Sequence, residues 1–184
     1  MHPVVQTAKP PDSRHSPHPD PEAASRLCCD CGFCCNGVMF GRVVLQALDS
    51  RETLRAIGFT VKRKQKQSFF TQPCIAFNQG KCRVYEQRPT RCRLFECKIL
   101  QKVVTGEWKV HQALHAIEQV QSHVQRIETL LNPAGTETSH KSLLKRVGDR
   151  LSDWEESGEI ESAKNLQSAL DALEQRLEKD FRVI

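Results

Sequence analysis

The stretch Leu27 to Gly37 reads LCCDCGFCCNG and carries Cys28, Cys29, Cys31, Cys34 and Cys35 within eight residues. Thiolates are nucleophiles and soft metal ligands. The spacing Cys28-x2-Cys31-x2-Cys34 leaves room for the chain to turn and aim successive sulfurs at one ion, and Gly32 and Asn36-Gly37 tolerate the positive φ that such turns need. Neighbouring side chains diverge, so Cys34 and Cys35 are expected to serve two sites, or one site and one packing position. A second group is spread more widely, as Cys74-x7-Cys82-x9-Cys92-x4-Cys97, with turn residues close by at Pro73, Asn78-Gln79-Gly80 and Arg88-Pro89.

The chain has nine cysteines, an odd count. It shows no apolar signal segment and no run of about 18 apolar residues, so the expected setting is a reducing cytoplasm with no membrane insertion. Thiols there stay unpaired, and clustered reduced thiols read as metal ligands rather than a disulfide scaffold. Burial as small hydrophobes accounts for scattered cysteines but not for five in eight residues.

CCDCGFCC followed by PCIAFNQGKCRVYEQRPTRCRLFEC resembles the YkgJ-type cysteine cluster family, also described as a CxxCxxCC zinc- or iron-chelating domain. The matching positions are Cys28, Cys31, Gly32, Cys34 and Cys35, then Cys74, Gly80-Lys81-Cys82, Tyr85, Arg88-Pro89, Cys92-Arg93, Phe95 and Cys97. Cys29 is an addition to the usual pattern, and the C-terminal helical part lies outside the resemblance. The resemblance implies metal chelation. It also brings in flagellin lysine N-methylases, so a protein-modifying enzyme is the alternative reading; no G-x-G-x-x-G nucleotide loop accompanies it.

Eight matching thiols suit two four-thiolate sites, or one cluster with ligands to spare. Three thiols at two-residue intervals with a remote fourth follow the ferredoxin order, whereas structural zinc more often uses separated C-x2-C pairs, which favours an iron–sulfur cluster over zinc. A four-thiolate zinc or oxidised cubane centre carries a net charge of about −2. Residues 28 to 109 hold 15 Lys and Arg against 6 Asp and Glu, and Arg83, Arg88, Arg91, Arg93 and Lys98 are candidates to balance the sulfurs. Most of the aromatic residues, from Phe33 to Phe95, also fall in this region and are expected to pack around the site.

The elements that must position these thiols divide the chain into three parts. Residues 1–26 hold six of the nine prolines and read as a disordered tail, in which His2, His15 and His18 are at most weak ligands. Residues 27–109 form a small cysteine-rich metal-binding domain with irregular loops. Within it Val43-Val44-Leu45 is a strand or helix turn, and Asp49 or Ser50 caps a helix that stops at Gly58. The basic run Lys62 to Lys66 reads as a solvated loop, since no interleaved aromatics support nucleic-acid binding.

Residues 110–184 are helical. Apolar stripes run from Val110 to Leu131, from Leu144 to Trp154 and from Ala163 to Leu177, each at helical spacing. They predict a three-helix extension, closed on itself or serving as a surface for self-association or a protein partner. His111 and His115, four apart, read as solvent-facing. The fold class is therefore mainly α with irregular loops, and the partner a metal ion.

Overall fold

The computed structural model describes residues 21–133 and 140–183. The first helix, α1 (Pro21–Cys31), opens on a proline, whose fixed φ suits a first helical position, and continues through Glu22-Ala23-Ala24. It therefore begins inside the stretch read as tail; residues 1–20, with their histidines, lie outside the described residues.

A three-stranded antiparallel sheet follows, from β1 (Arg42–Val44), β2 (Lys62–Lys64) and β3 (Gln67–Thr71) in the order β1-β3-β2. The basic run is thus a strand and a turn rather than a loop: Lys62 pairs with Phe69, and Gln65 takes a positive φ of 54° at the reversal. Between β1 and β2 lies α2 (Arg51–Ala56), where Ser50 accepts the Thr53 N–H and Gly58 turns left-handed behind the helix. Val43, Phe70, Leu54, Phe59 and Ala76 make a small core here, with Phe59 and Phe70 edge to face.

The cysteine-bearing loops continue as a two-stranded hairpin of β3's neighbours in sequence, β4 (Phe77–Asn78) and β5 (Lys81–Cys82), a 3-10 turn at Tyr85–Gln87, α3 (Thr90–Leu94) and α4 (Lys98–Val104). Three longer helices complete the chain: α5 (Val110–Leu131), α6 (Leu143–Ser157) and α7 (Ile160–Asp180). Each coincides with one apolar stripe. Gln112 accepts the Lys109 N–H at the start of α5, and Gly158, at φ 79°, ends α6.

α7 packs on both α5 and α6, which touch each other less. The stripe residues Ala113, Val120, Ile127, Val147, Leu166 and Leu173 are buried within this one chain. The same core takes in Leu27, Phe33, Val38, Met39 and Ile99, so it runs without a break from the helices into the cysteine-rich region. Among the described residues no helix is long and apolar enough to cross a membrane.

Leu166 is fully buried where α7 meets the other helices. Leu166→Ala is expected to lower unfolding stability by about 2–5 kcal/mol, read from denaturant midpoints. A change within about 0.5 kcal/mol, typical of surface positions, would contradict this packing.

Candidate metal centre

Cys28 and Cys31 stand three apart on the last turn of α1, which sends both side chains off one face. The helix stops there because Gly32 turns left-handed, at φ 64°, and its N–H closes on the Cys28 carbonyl at 3.0 Å. A Cβ at this position would lie 2.7 Å from Cζ of Phe77. The Gly32 carbonyl then accepts from Cys35 at 2.8 Å and Asn36 at 2.9 Å, folding the C-x2-C-C segment into a tight turn.

The second group of cysteines is tied onto this turn by the loop before it. Buried Gln72 donates its side-chain amide to the Cys34 carbonyl at 2.9 Å, and the Cys74 N–H donates to the Cys35 carbonyl at 2.7 Å. The β4–β5 hairpin turns at Gln79 and Gly80, both at positive φ, and places Cys82 opposite Phe77. A Cβ on Gly80 would come 2.8 Å from the Cys29 carbonyl, so this turn lies directly on α1. Asp49 reaches across 41 residues to accept both the N–H and the hydroxyl of Thr90, fixing the start of the helix that carries Cys92. These two hydrogen bonds and one from Gln46 hold the Asp49 carboxyl below its usual range against the opposing effect of burial.

Cys97 precedes α4 and is fixed by the far end of the chain. The Lys98 N–H donates to the Phe181 carbonyl at 3.0 Å, and the Phe181 ring stands edge-on to Phe33, centroids 5.5 Å apart. The end of the helical region thus braces a cysteine of one segment and a phenylalanine from the turn of the other.

All nine cysteines are free thiols. Their immediate surroundings separate them. Cys31, Cys34 and Cys97 pack against the main core, whereas Cys74 and Cys92 pack against the small one. Burial, above all, pushes the Cys34 thiol well up, followed by the nearby sulfurs of Cys31 and Cys97. Burial likewise raises Cys31, where the Phe33 N–H opposes and Cys97 and Cys28 add. Cys28 keeps contact with solvent, yet loss of hydration raises it first, then the charges of Cys97 and Cys29.

For Cys35, burial, then Cys74, Cys92 and Cys82, with Cys28 behind them, push the thiol to about 12, and Cys35 in turn adds to the rise at Cys31 and Cys34. Burial, then Cys74 and Cys82, does the same for Cys92, also about 12. Burial raises Cys74 and Cys97 as well, opposed by backbone N–H groups of Ala76 and Phe77 at Cys74 and of Leu100 and Ile99 at Cys97. Thiols from both segments therefore meet. Among the described residues, however, no three or more Cys, His, Asp or Glu side chains stand arranged to hold a metal ion.

The donor chemistry suits a thiophilic ion. Sulfur ligands with backbone N–H donors directed at them are what tetrathiolate zinc and iron–sulfur sites require. Of the five candidate cations, the charge of Arg83 acts on Cys74 and that of Arg88 on both Cys28 and Cys92, while Arg83 donates to the Ile75 carbonyl and Arg88 donates to the Tyr85 carbonyl and lies over the Tyr85 ring. Arg93 acts on Asp49, Arg91 lines a polar cleft beside Asp49, and Lys98 bonds the Glu178 carbonyl. His111 and His115 are exposed, with His115 beside Gln119 and Glu118. Sequence spacing gave no sign of Gln72 or Phe181 and marked Asp49 only as a possible cap of α2, a place Ser50 takes; the contributions of all three lie in contacts between distant stretches.

The model of a family described as "Putative zinc- or iron-chelating domain", CxxCxxCC, matches residues 27–121, and the chain belongs to that family. No curated protein and no solved structure matches the chain. The family region runs past the cysteines into α5, further than the cysteine motifs alone indicate. At its far end the Gln121 side chain donates to the Asp30 carbonyl of α1 at 3.1 Å.

Two outcomes follow from this geometry. Unfolding frees thiols that ionise near 9, while Cys35 and Cys92 in the folded chain hold their protons to about 12. The unfolded state then binds fewer protons in that window, so the metal-free protein should lose stability as pH rises from about 9 toward 12. Denaturation midpoints that stay level there would show these thiols to be hydrated. Phe181→Ala should cost about 3–5 kcal/mol and loosen Cys97, seen as faster alkylation of that thiol in the folded protein; unchanged alkylation would remove Phe181 from the site.

Proposed function

We propose that the chain is a metal-chelating protein in which Cys28, Cys31, Cys34, Cys35, Cys74, Cys82, Cys92 and Cys97 bind zinc or an iron–sulfur cluster as thiolates, in a reducing cytoplasm. The observation that carries this reading is the meeting of free thiols from two segments at one turn, Cys97 with Cys31 and Cys34, and Cys35 with Cys74 and Cys92. Crowded, poorly hydrated thiols repel as anions, and a cation among them turns that repulsion into attraction.

An iron–sulfur cluster is favoured, because Cys28-x2-Cys31-x2-Cys34 with a remote Cys97 follows the order of ferredoxin ligands. Bound iron supplies one-electron chemistry, and the Arg88 guanidinium and the N–H groups at Cys31 and Cys97 would stabilise the added charge. Bound zinc would staple the loops together.

Anaerobic purification with elemental analysis and a visible spectrum tests this. Brown protein with broad absorbance near about 400 nm and matching iron and sulfide is the expected result, and colourless protein with stoichiometric zinc keeps chelation while reassigning the metal. A well-folded chain that takes up neither would falsify the reading.

A further inference from the structure

We infer that the eight thiols form two separate four-thiolate centres, Cys28, Cys31, Cys34 and Cys97 in one and Cys35, Cys74, Cys82 and Cys92 in the other, with Cys29 outside both. This rests on the chelating function proposed above and adds the pairing. Each centre takes three sulfurs from one segment and is completed by a single sulfur from the other.

The division falls at the Cys34–Cys35 peptide. Both carbonyls are held by the same loop, Cys34 by the Gln72 amide and Cys35 by the Cys74 N–H, and side chains leaving two consecutive fixed residues diverge. Cys34 turns to the main core, where Cys31 and Cys97 also pack. Cys35 is hydrogen-bonded through its carbonyl to Cys74, and its foremost sulfur neighbours are Cys74, Cys92 and Cys82, ahead of Cys28; Cys74 and Cys92 lie against the small core. Cys82 joins them from the hairpin, paired with Phe77 three residues after Cys74.

Each set carries its own backbone donors, the N–H of Phe33 toward Cys31 and those of Ile99 and Leu100 toward Cys97 in one, those of Ala76 and Phe77 toward Cys74 in the other. The charge of Arg88, whose guanidinium is held on the Tyr85 carbonyl and ring, acts on Cys28 of one set and Cys92 of the other and so offsets part of the repulsion between two anionic centres. Cys29 is exposed, and the Gly80 turn packs against its carbonyl. Among the described residues no three of these sulfurs stand at coordinating positions, so each set would have to draw together on its ion.

Zinc titration of the reduced, metal-free full chain, followed by native mass spectrometry, should saturate at two ions. Limited chelation and alkylation of the wild type should then give molecules holding one ion with four thiols of one set protected and four of the other modified, Cys29 modified in every case. Cys31→Ser/Cys97→Ser and Cys74→Ser/Cys92→Ser should each retain one ion, on the untouched set. Saturation at one ion, or protected thiols drawn from both sets, would overturn the pairing and leave chelation standing. A folded chain that binds no zinc and no iron would overturn both; if a variant does not fold, the wild-type protection pattern alone decides.

Discussion

Two adjacent carbonyls, those of Cys34 and Cys35, accept hydrogen bonds from one loop, 38 and 39 residues further on, and the rest of the cysteine region depends on that attachment. Without it the C-x2-C-C turn and the second group of thiols are separate loops, and bringing them together costs the closure entropy of a long segment. Gln72 is buried, so its amide has no water to turn to if the contact is lost, and an unsatisfied group of this kind costs about 1–3 kcal/mol. Asp49 on Thr90 and Phe181 on Lys98 act in the same manner, each fixing one further cysteine by a contact across a long stretch of chain.

The attachment gathers groups that resist ionisation. Burial raises most of these thiols, so the metal-free protein holds protons where a chelate needs thiolates. Metal bound through these thiols would have to displace those protons, which would tie affinity to pH and occupancy to folding. Backbone N–H groups at Cys31, Cys74 and Cys97, with Arg83 and Arg88, already favour the ionised form in part. The opposition between burial and these donors keeps the bare site protonated and leaves it receptive to a cation.

The helical region belongs to this arrangement instead of standing apart from it. α5 lies along α1, and the end of α7 closes over Phe33 and Cys97. The helices supply much of the buried apolar surface that the small, loop-rich cysteine region lacks. The small core under the sheet performs the same task for Cys74 and Cys92 on a lesser scale.

Regular elements with a local cause could be read in the sequence. The three long helices follow from apolar spacing of three and four, Ser50 and Gly58 mark the ends of α2, and Gln79-Gly80 reverses the hairpin, because periodicity, capping and positive φ depend on residues a few positions apart. The membership of a zinc- or iron-chelating family was also legible, since five cysteines in eight residues carry its motif. The strand at Lys62–Lys64 was not, because its pairing with Phe69 and Ser68 outweighs an unremarkable local propensity. The partition of the sulfurs was not legible either. Which thiol faces which depends on Gln72, Asp49 and Phe181 drawing remote segments together, and such contacts leave no spacing in the chain. The residue string by itself thus determined helices, turns and thiol chemistry, while tertiary structure alone decided the neighbours and burial of each sulfur, because those depend on contacts between residues far apart in the chain.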